Sequence, residues 1–525
     1  MKKRILFLMA MAIAGSGIFM SCTKNLDRLP TNALTATQVY STPLGYKLAF
    51  AKVYGSFAMT GNNGSGSGDI QGIDAGTSDF FRLYWNAQEL PTDEAVVGWG
   101  DAGIQDFHNM NWSSNNPFLQ GLYYRSMYQI TLANDFIRQS SDANLSAHGI
   151  SATDATVIHQ YTAEARFLRA YQYSVLMDLF GNPPFVTDAD AIGTIPKQIQ
   201  RKDLFNYVQS ELKTIEPQMA APKTNEYGRA DQAAAWALLA RNYLNDSVYT
   251  GVPHYDSAII YSKKVIDAGY TLVPNYGWLM LADNYLDKNE FILTINYDGL
   301  KTQNYGGTTY LNHACIGGSM TAADYGAGGG WSGLRATKNL PELFPDFTGN
   351  VDKRSQFYTS GQNLDINDIT QFTDGYAVTK YRNKTRLGAN GQSLDYSDID
   401  MPIFRLPEMY LIYAEATLRG GAGGDNTLAI QYINKLRERA YGNASGDVTS
   451  IDLNFILDER GRELYWEGFR RTDLIRYGKF VSGTYLWPWK GGVKSGSGVQ
   501  DFRKIYPLPT SDLSANPNLV QNPGY

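Results

Sequence analysis

Two stretches of this 525-residue chain follow one plan, and that plan restricts the fold more than any other feature. In the first, Asp231 precedes an apolar helical pattern over Ala233–Leu244, and a second pattern over Tyr255–Ala268 closes at Gly269. In the other, Glu408–Arg419 runs into a turn holding Gly420, Gly421, Gly423 and Gly424, after which Asp425 or Asn426 can cap Leu428–Ala440. Asp and Asn accept the first free N–H groups of a helix, and glycine ends one, so each stretch reads as a helical hairpin. Small residues stand where the paired helices must approach: Ala234, Ala240 and Ala258 in one, Ala414, Ala416 and Ala429 in the other. A single hairpin cannot bury its own apolar face, so neighbouring hairpins have to stack.

Further helical periodicity covers Leu44–Phe57, Leu122–Ile137, Ala163–Phe180 and Leu204–Leu212, with Gly181 and Pro183-Pro184 ending the third of these. Hairpins of roughly 34 residues with alanines at the crossings look like tetratricopeptide repeats, here about four in number and irregularly spaced. Glu290–Asn296 reads as a short strand. The expected fold is therefore mostly α, a tetratricopeptide-like scaffold with long loop insertions and minor β structure. Residues 44–280 form an N-terminal helical region with a loop insertion at 59–120. Residues 281–400 form a loop-rich insertion suited to ligand binding, and 401–525 form a C-terminal helical region.

Composition excludes several functions. Acidic residues outnumber basic ones, 51 to 46, so the basic face of a nucleic-acid binder is missing. The five histidines are scattered, no metal-ligand spacing is present, and no phosphate loop, dinucleotide fingerprint or nucleophile elbow sits in the context that would give it meaning. No catalytic residue, metal or cofactor is assigned. A glycosidase-type acid pair has no sequence spacing to betray it, and stays open on this reading.

The first residues carry an address. Lys2, Lys3 and Arg4 precede an apolar run from Ile5 to Met20, shorter than the ~20 residues a spanning helix needs, and Ser21-Cys22 closes it. Residues 1–21 read as an export signal resembling that of a bacterial lipoprotein. Cys22 would then be acylated, with residues 22–43 as the tether to a membrane.

Aromatic residues make up 13% of the chain, and many fall in polar or glycine-rich contexts: Tyr84, Trp85, Trp99, Trp112, Tyr305, Tyr310, Tyr325 and Trp331. Such rings either fill core between helices or stack on the flat C–H faces of sugars. A shallow site burying roughly 200 Å² of apolar area would gain about 5 kcal/mol before the costs of association.

Several phrases, taken together, resemble the SusD/RagB family of outer-membrane glycan-binding lipoproteins. They are Ala163–Tyr171 (AEARFLRAY), Gly181–Thr187 (GNPPFVT), Gly228–Ala230, Val265–Tyr270, Pro402–Ala416 (PIFRLPEMYLIYAEA), Ile433–Ala440, Glu459–Gly478 (ERGRELYWEGFRRTDLIRYG), Ile505–Pro509 and Asn516–Tyr525. Their charged members Arg405, Glu408, Glu415, Glu459, Arg460, Glu463 and Arg470 read as internal ion pairs rather than as a site. The resemblance implies a non-enzymatic binder at the cell surface that delivers oligosaccharide to a SusC-like TonB-dependent transporter. Glu89–Val96 followed by Trp99 is similar to the phrase in the family's starch-binding member where a Trp stacks on glucose. Arg82 matches a sugar-contacting Arg by position, and Lys301–Tyr310 and Gly330–Gly333 place Tyr305 and Trp331 as the remaining rings. Gly100-Asp101-Ala102 replaces a segment that holds a sugar-bonding Asn in that member. An arc of Trp99, Tyr305 and Trp331 suits a starch-like α-glucan. The alternative is a surface lipoprotein that captures peptides or another glycan class, with Trp99 and Trp331 in the core.

Overall fold

The computed structural model describes residues 36–525; the signal, Cys22 and most of the tether lie outside the described residues. The helices that carry the scaffold and its insertions are α1 (Pro43–Ala58), α2 (Phe80–Glu89), α3 (Pro117–Gln139), α4 (Ala152–Phe180), α5 (Arg201–Ile215), α6 (Gln232–Leu244), α7 (Tyr255–Asp267), α8 (Gly307–His313), α9 (Leu406–Leu418), α10 (Asn426–Tyr441), α11 (Leu453–Leu464) and α12 (Arg470–Arg476). Four short strands matter to the site: β1 (Val96–Val97), β2 (Phe291–Ile295), β3 (Leu334–Arg335) and β4 (Met401–Arg405).

Side chains start the helices where local chemistry says they should. Asp231 accepts from the Ala234 N–H at 3.2 Å at the head of α6, and Asp425 accepts from Thr427 and Leu428 at the head of α10. The helices then pack in sequence as expected of stacked hairpins: α3 on α4, α4 on α5, α6 on α7 and α9 on α10. All six crossing alanines are fully buried. The scaffold also runs across the long insertion, because α7 packs directly on α9. Antiparallel pairing of β2 with β4 brings the start and end of that insertion side by side, so the loops between them leave from the scaffold and return to it.

The motif charges are internal. Arg405 bonds Glu463 at 2.6 Å, Glu467 at 2.7 Å and Glu290 at 3.1 Å, while Arg354 bonds Asp352 and Glu459 at 2.7 Å each. Arg241 pairs with Glu408, Arg476 with Glu415, Arg460 with Asp473 and Arg470 with Asp93. Burial opposes ionisation of Glu463, yet the guanidinium groups of Arg439, Arg405 and Arg354 hold its carboxyl down to about 2.

One stretch departs from the sequence reading. Residues 80–89, read as loop, form α2, which Asp79 caps and whose polar residues Arg82, Asn86 and Glu89 share one face at i, i+4 and i+7, a stripe the sequence reading passed over. The same element carries Tyr84 and Trp85, and Trp85 is core: its indole N–H donates to the Trp466 carbonyl at 3.0 Å.

Below α2 lie two buried carboxyls that act as one unit. Glu89 accepts from the Gly468 and Phe469 N–H groups at 2.6 and 3.1 Å, Glu94 accepts from the Trp466 N–H at 3.1 Å, and the charge of Glu94 acts on Glu89. Burial pushes the Glu89 carboxyl well above its ordinary range and Glu94 up to about 7, against the pull of Arg470. The native state therefore holds a proton that the unfolded chain releases above about pH 4.5. This contribution is complete at pH below the unfolded value and is lost as pH rises toward and beyond 7. We expect the melting temperature to fall by several degrees from pH 5 to pH 8, and Glu89→Gln, which keeps the acceptor for Gly468 and Phe469 but removes the titrating group, to flatten that slope in thermal melts. An unchanged slope would remove the pair as its cause.

Candidate functional site

Two local devices bring the four residues singled out by sequence together. The first is Asp79, the buried cap of α2. Its carboxylate accepts from the Arg82 N–H at 2.9 Å and from the Gly307 N–H at the head of α8 at 2.8 Å. Burial raises its pKa, and those backbone hydrogen bonds offset part of the rise. One side chain thus fixes where Arg82 leaves α2 and where Tyr305 enters α8. Gly307 is needed here, since its φ is +52° and a Cβ would lie 2.3 Å from the Tyr297 ring. Arg82 Nη1 then donates to the Tyr305 carbonyl at 3.1 Å, and its guanidinium lies 4.5 Å from the Tyr310 ring centroid and 6.0 Å from that of Trp99.

The second device is the β1–β3 pair, with Val96 opposite Arg335 and Val97 opposite Leu334. Continuing this ladder, the Gly98 N–H donates to the Gly333 carbonyl, and Trp99 lies against Gly333, where a Cβ would come 2.3 Å from the indole. The Trp99 indole N–H donates to the Trp331 carbonyl at 3.0 Å. Arg335 braces this corner from below: it is fully buried and donates to the carbonyls of Gly333, Ile369 and Asp374, with burial lowering its pKa to about 10.

The result is a row of rings. Trp99 and Trp331 have centroids 6.5 Å apart and planes at 46°, and Trp331 and Tyr305 are 6.2 Å apart at 61°. Trp99 and Trp331 are partly exposed, and Tyr305 keeps 43% of its surface in solvent. Arg82 stands beside the row with Asp74 and Asp101 acting on its charge; burial lowers its pKa and these carboxylates oppose the shift. Among the described residues nothing bonds Arg82 Nε or His313 Nε2, and a buried polar atom without a partner marks a place where water or ligand completes the shell.

Other sequence candidates resolve into core. Trp85, Trp112 and Tyr310 are buried, and the Tyr310 hydroxyl bonds Asn86 at 2.9 Å. Two residues of the site escaped the sequence reading. His313, one of the scattered histidines, stacks against Trp331 at 4.9 Å and 25°, donating from Nδ1 to the Gly329 carbonyl, and burial lowers its pKa. Tyr396 lies 5.3 Å from Tyr305. Its signal was an aromatic residue in the polar Leu394–Asp398 stretch.

An apolar cleft of about 310 Å³ lies elsewhere, lined by Phe50, Tyr54, Tyr161 and Tyr227 between α1, α4 and β2, and it includes none of the four residues. No helix among the described residues is long and apolar enough to cross a membrane, and no cluster of His, Cys, Asp and Glu among them suits a metal ion.

The fold is one that known proteins share. The model of the SusD family matches residues 349–525. The starch-binding protein SusD of Bacteroides thetaiotaomicron is 35% identical over 98% of this chain and 97% of its own. Among solved structures, a SusD homologue from Bacteroides thetaiotaomicron superposes with a TM-score of 0.75 at 18% identity, covering 94% of this chain and 99% of its own. Surface glycan-binding protein A from the same species, in complex with laminarihexaose, superposes with a TM-score of 0.68 at 21% identity, covering 91% and 98%. The chain belongs to the SusD family.

Proposed function

We propose that this protein binds neutral oligosaccharides of the starch type at the cell surface, without catalysing a reaction on them, and passes them to a SusC-like TonB-dependent transporter of the outer membrane. Acylated Cys22 would hold it to that membrane, and the 281–400 insertion, with the 59–120 segment, would carry the site on the helical scaffold. The observation that carries the reading is that neighbouring rings are inclined to one another, at 46° and 61°, and do not lie in one plane. A curved row of stacking faces suits the winding of an α-glucan and suits a flat β-glucan poorly. Similarity to a starch-binding protein over nearly the full length supports the same choice. Charge supports a neutral ligand: Asp74 and Asp101 act on Arg82, Asp395 acts on Tyr305, and Arg82 is the cation among them.

Titration calorimetry of the mature chain in a non-glycosidic detergent tests this. Maltoheptaose is expected to bind in the ~µM to mM range of shallow sites, more tightly than laminarihexaose, with no heat from an oligogalacturonate. Tighter binding of laminarihexaose, the ligand in the surface glycan-binding protein A complex, would reassign the glucan class.

A further inference from the structure

The row of rings does not stop at Tyr305. Tyr396, partly exposed, lies beside it with a centroid separation of 5.3 Å and planes inclined at 45°, so each neighbouring pair from Trp99 through Trp331 and Tyr305 to Tyr396 has centroids 5.3–6.5 Å apart and planes inclined at 45–61°. The Tyr396 hydroxyl lies 3.2 Å from that of Tyr305 and 2.8 Å from Ser65 Oγ. Ser65 belongs to the glycine-rich segment Gly61–Gly68, to which the three-ring arc gives no role. The three hydroxyls form a chain, and each is both donor and acceptor. Tyr396 has one proton to give, so the chain runs either way, and its exposed end at Tyr305 can donate to a sugar oxygen or accept from a sugar hydroxyl. The hydrogen bond with Tyr396 raises the Tyr305 pKa, which keeps that end protonated and neutral.

We infer that Tyr396, held by Ser65 of the glycine-rich loop, is a fourth stacking position that sets the length of oligosaccharide the arc takes. The inference rests on the proposed glycan-binding function. It predicts that a ligand long enough to reach Tyr396 gains affinity that a trisaccharide cannot.

Calorimetry with maltotriose and maltoheptaose on the native chain and on Tyr396→Ala, Tyr396→Phe and Trp99→Ala separates the possibilities. Tyr396→Ala is expected to weaken maltoheptaose about tenfold, the worth of one lost aromatic contact, while maltotriose stays within about twofold. Tyr396→Phe should keep most of the heptaose affinity, because the ring remains. Trp99→Ala should weaken both ligands. Equal loss for both lengths in Tyr396→Ala would mark a residue that merely supports Tyr305, and loss for neither would remove it from the site; each overturns the inference. If the native chain ignores malto-oligosaccharides but takes laminari-oligosaccharides, the starch assignment fails, and the same short-against-long comparison in that series decides Tyr396. Failure of the native chain to bind either series overturns both readings.

Discussion

Trp99→Ala is expected to weaken maltoheptaose by roughly thirty- to a hundredfold, about 2–3 kcal/mol, with the melting temperature within a few degrees of the native chain. Two losses combine. The indole face is removed from one end of the arc, and the hydrogen bond from its N–H to the Trp331 carbonyl, 3.0 Å long, goes with it, which frees the neighbouring ring. The fold should survive, since Trp99 is partly exposed and the β1–β3 pairing that places it runs through backbone groups. Gly333→Ala gives an independent check: the added methyl would stand 2.3 Å from the indole and push Trp99 aside without deleting it. Calorimetry on the two variants should show losses of the same order. Native-like affinity in both would return Trp99 to the packing role that the alternative reading gives it.

The largest effect on stability is expected from Arg405→Ala. This guanidinium is the shared partner of Glu463, Glu467 and Glu290, all of them buried. Its removal leaves Glu467 with Lys380, Glu290 with Arg439, and Glu463 with Arg439 and Arg354. Breaking one side of a buried ion cluster costs about 3–5 kcal/mol, because the remaining charges stay desolvated with fewer partners. That is a large part of the stability of an ordinary domain. A shift of the urea midpoint of that size, with the folded variant still binding maltoheptaose, is the expected outcome. Lost binding at native stability would instead place Arg405 in the ligand site. The pH response differs from that of the Glu89–Glu94 pair. Glu463, held at about 2 by its arginines, contributes stability above its unfolded pKa and loses it as pH falls through the acid range, so the two clusters bound stability from opposite sides.

The scaffold was legible in the chain because helices report themselves locally. A 3.6-residue period, a capping Asp231 or Asp425, and alanines at crossings are all read within a few turns, and each is found where the sequence places it. Helix α2 was passed over although Arg82, Asn86 and Glu89 keep a helical spacing, because its ten residues lie between glycine-rich segments.

The sequence by itself determined the helical-repeat class and the internal role of the motif charges, and the family phrases singled out four candidate residues, Arg82, Trp99, Tyr305 and Trp331. Tertiary structure alone decided that these four meet. Trp99 and the Trp331 carbonyl are 232 positions apart, and Arg82 and the Tyr305 carbonyl 223. Their meeting depends on a two-residue strand pair and one buried carboxylate, Asp79, neither of which leaves a periodic trace. The same holds for Trp85, Trp112 and Tyr310, whose loop-like contexts concealed burial, and for Tyr396 and His313, whose part in the site depends on a ring more than ten residues away. Stacking and burial depend on distance in space, and distance along the chain carries no information about either once a loop is long enough to return.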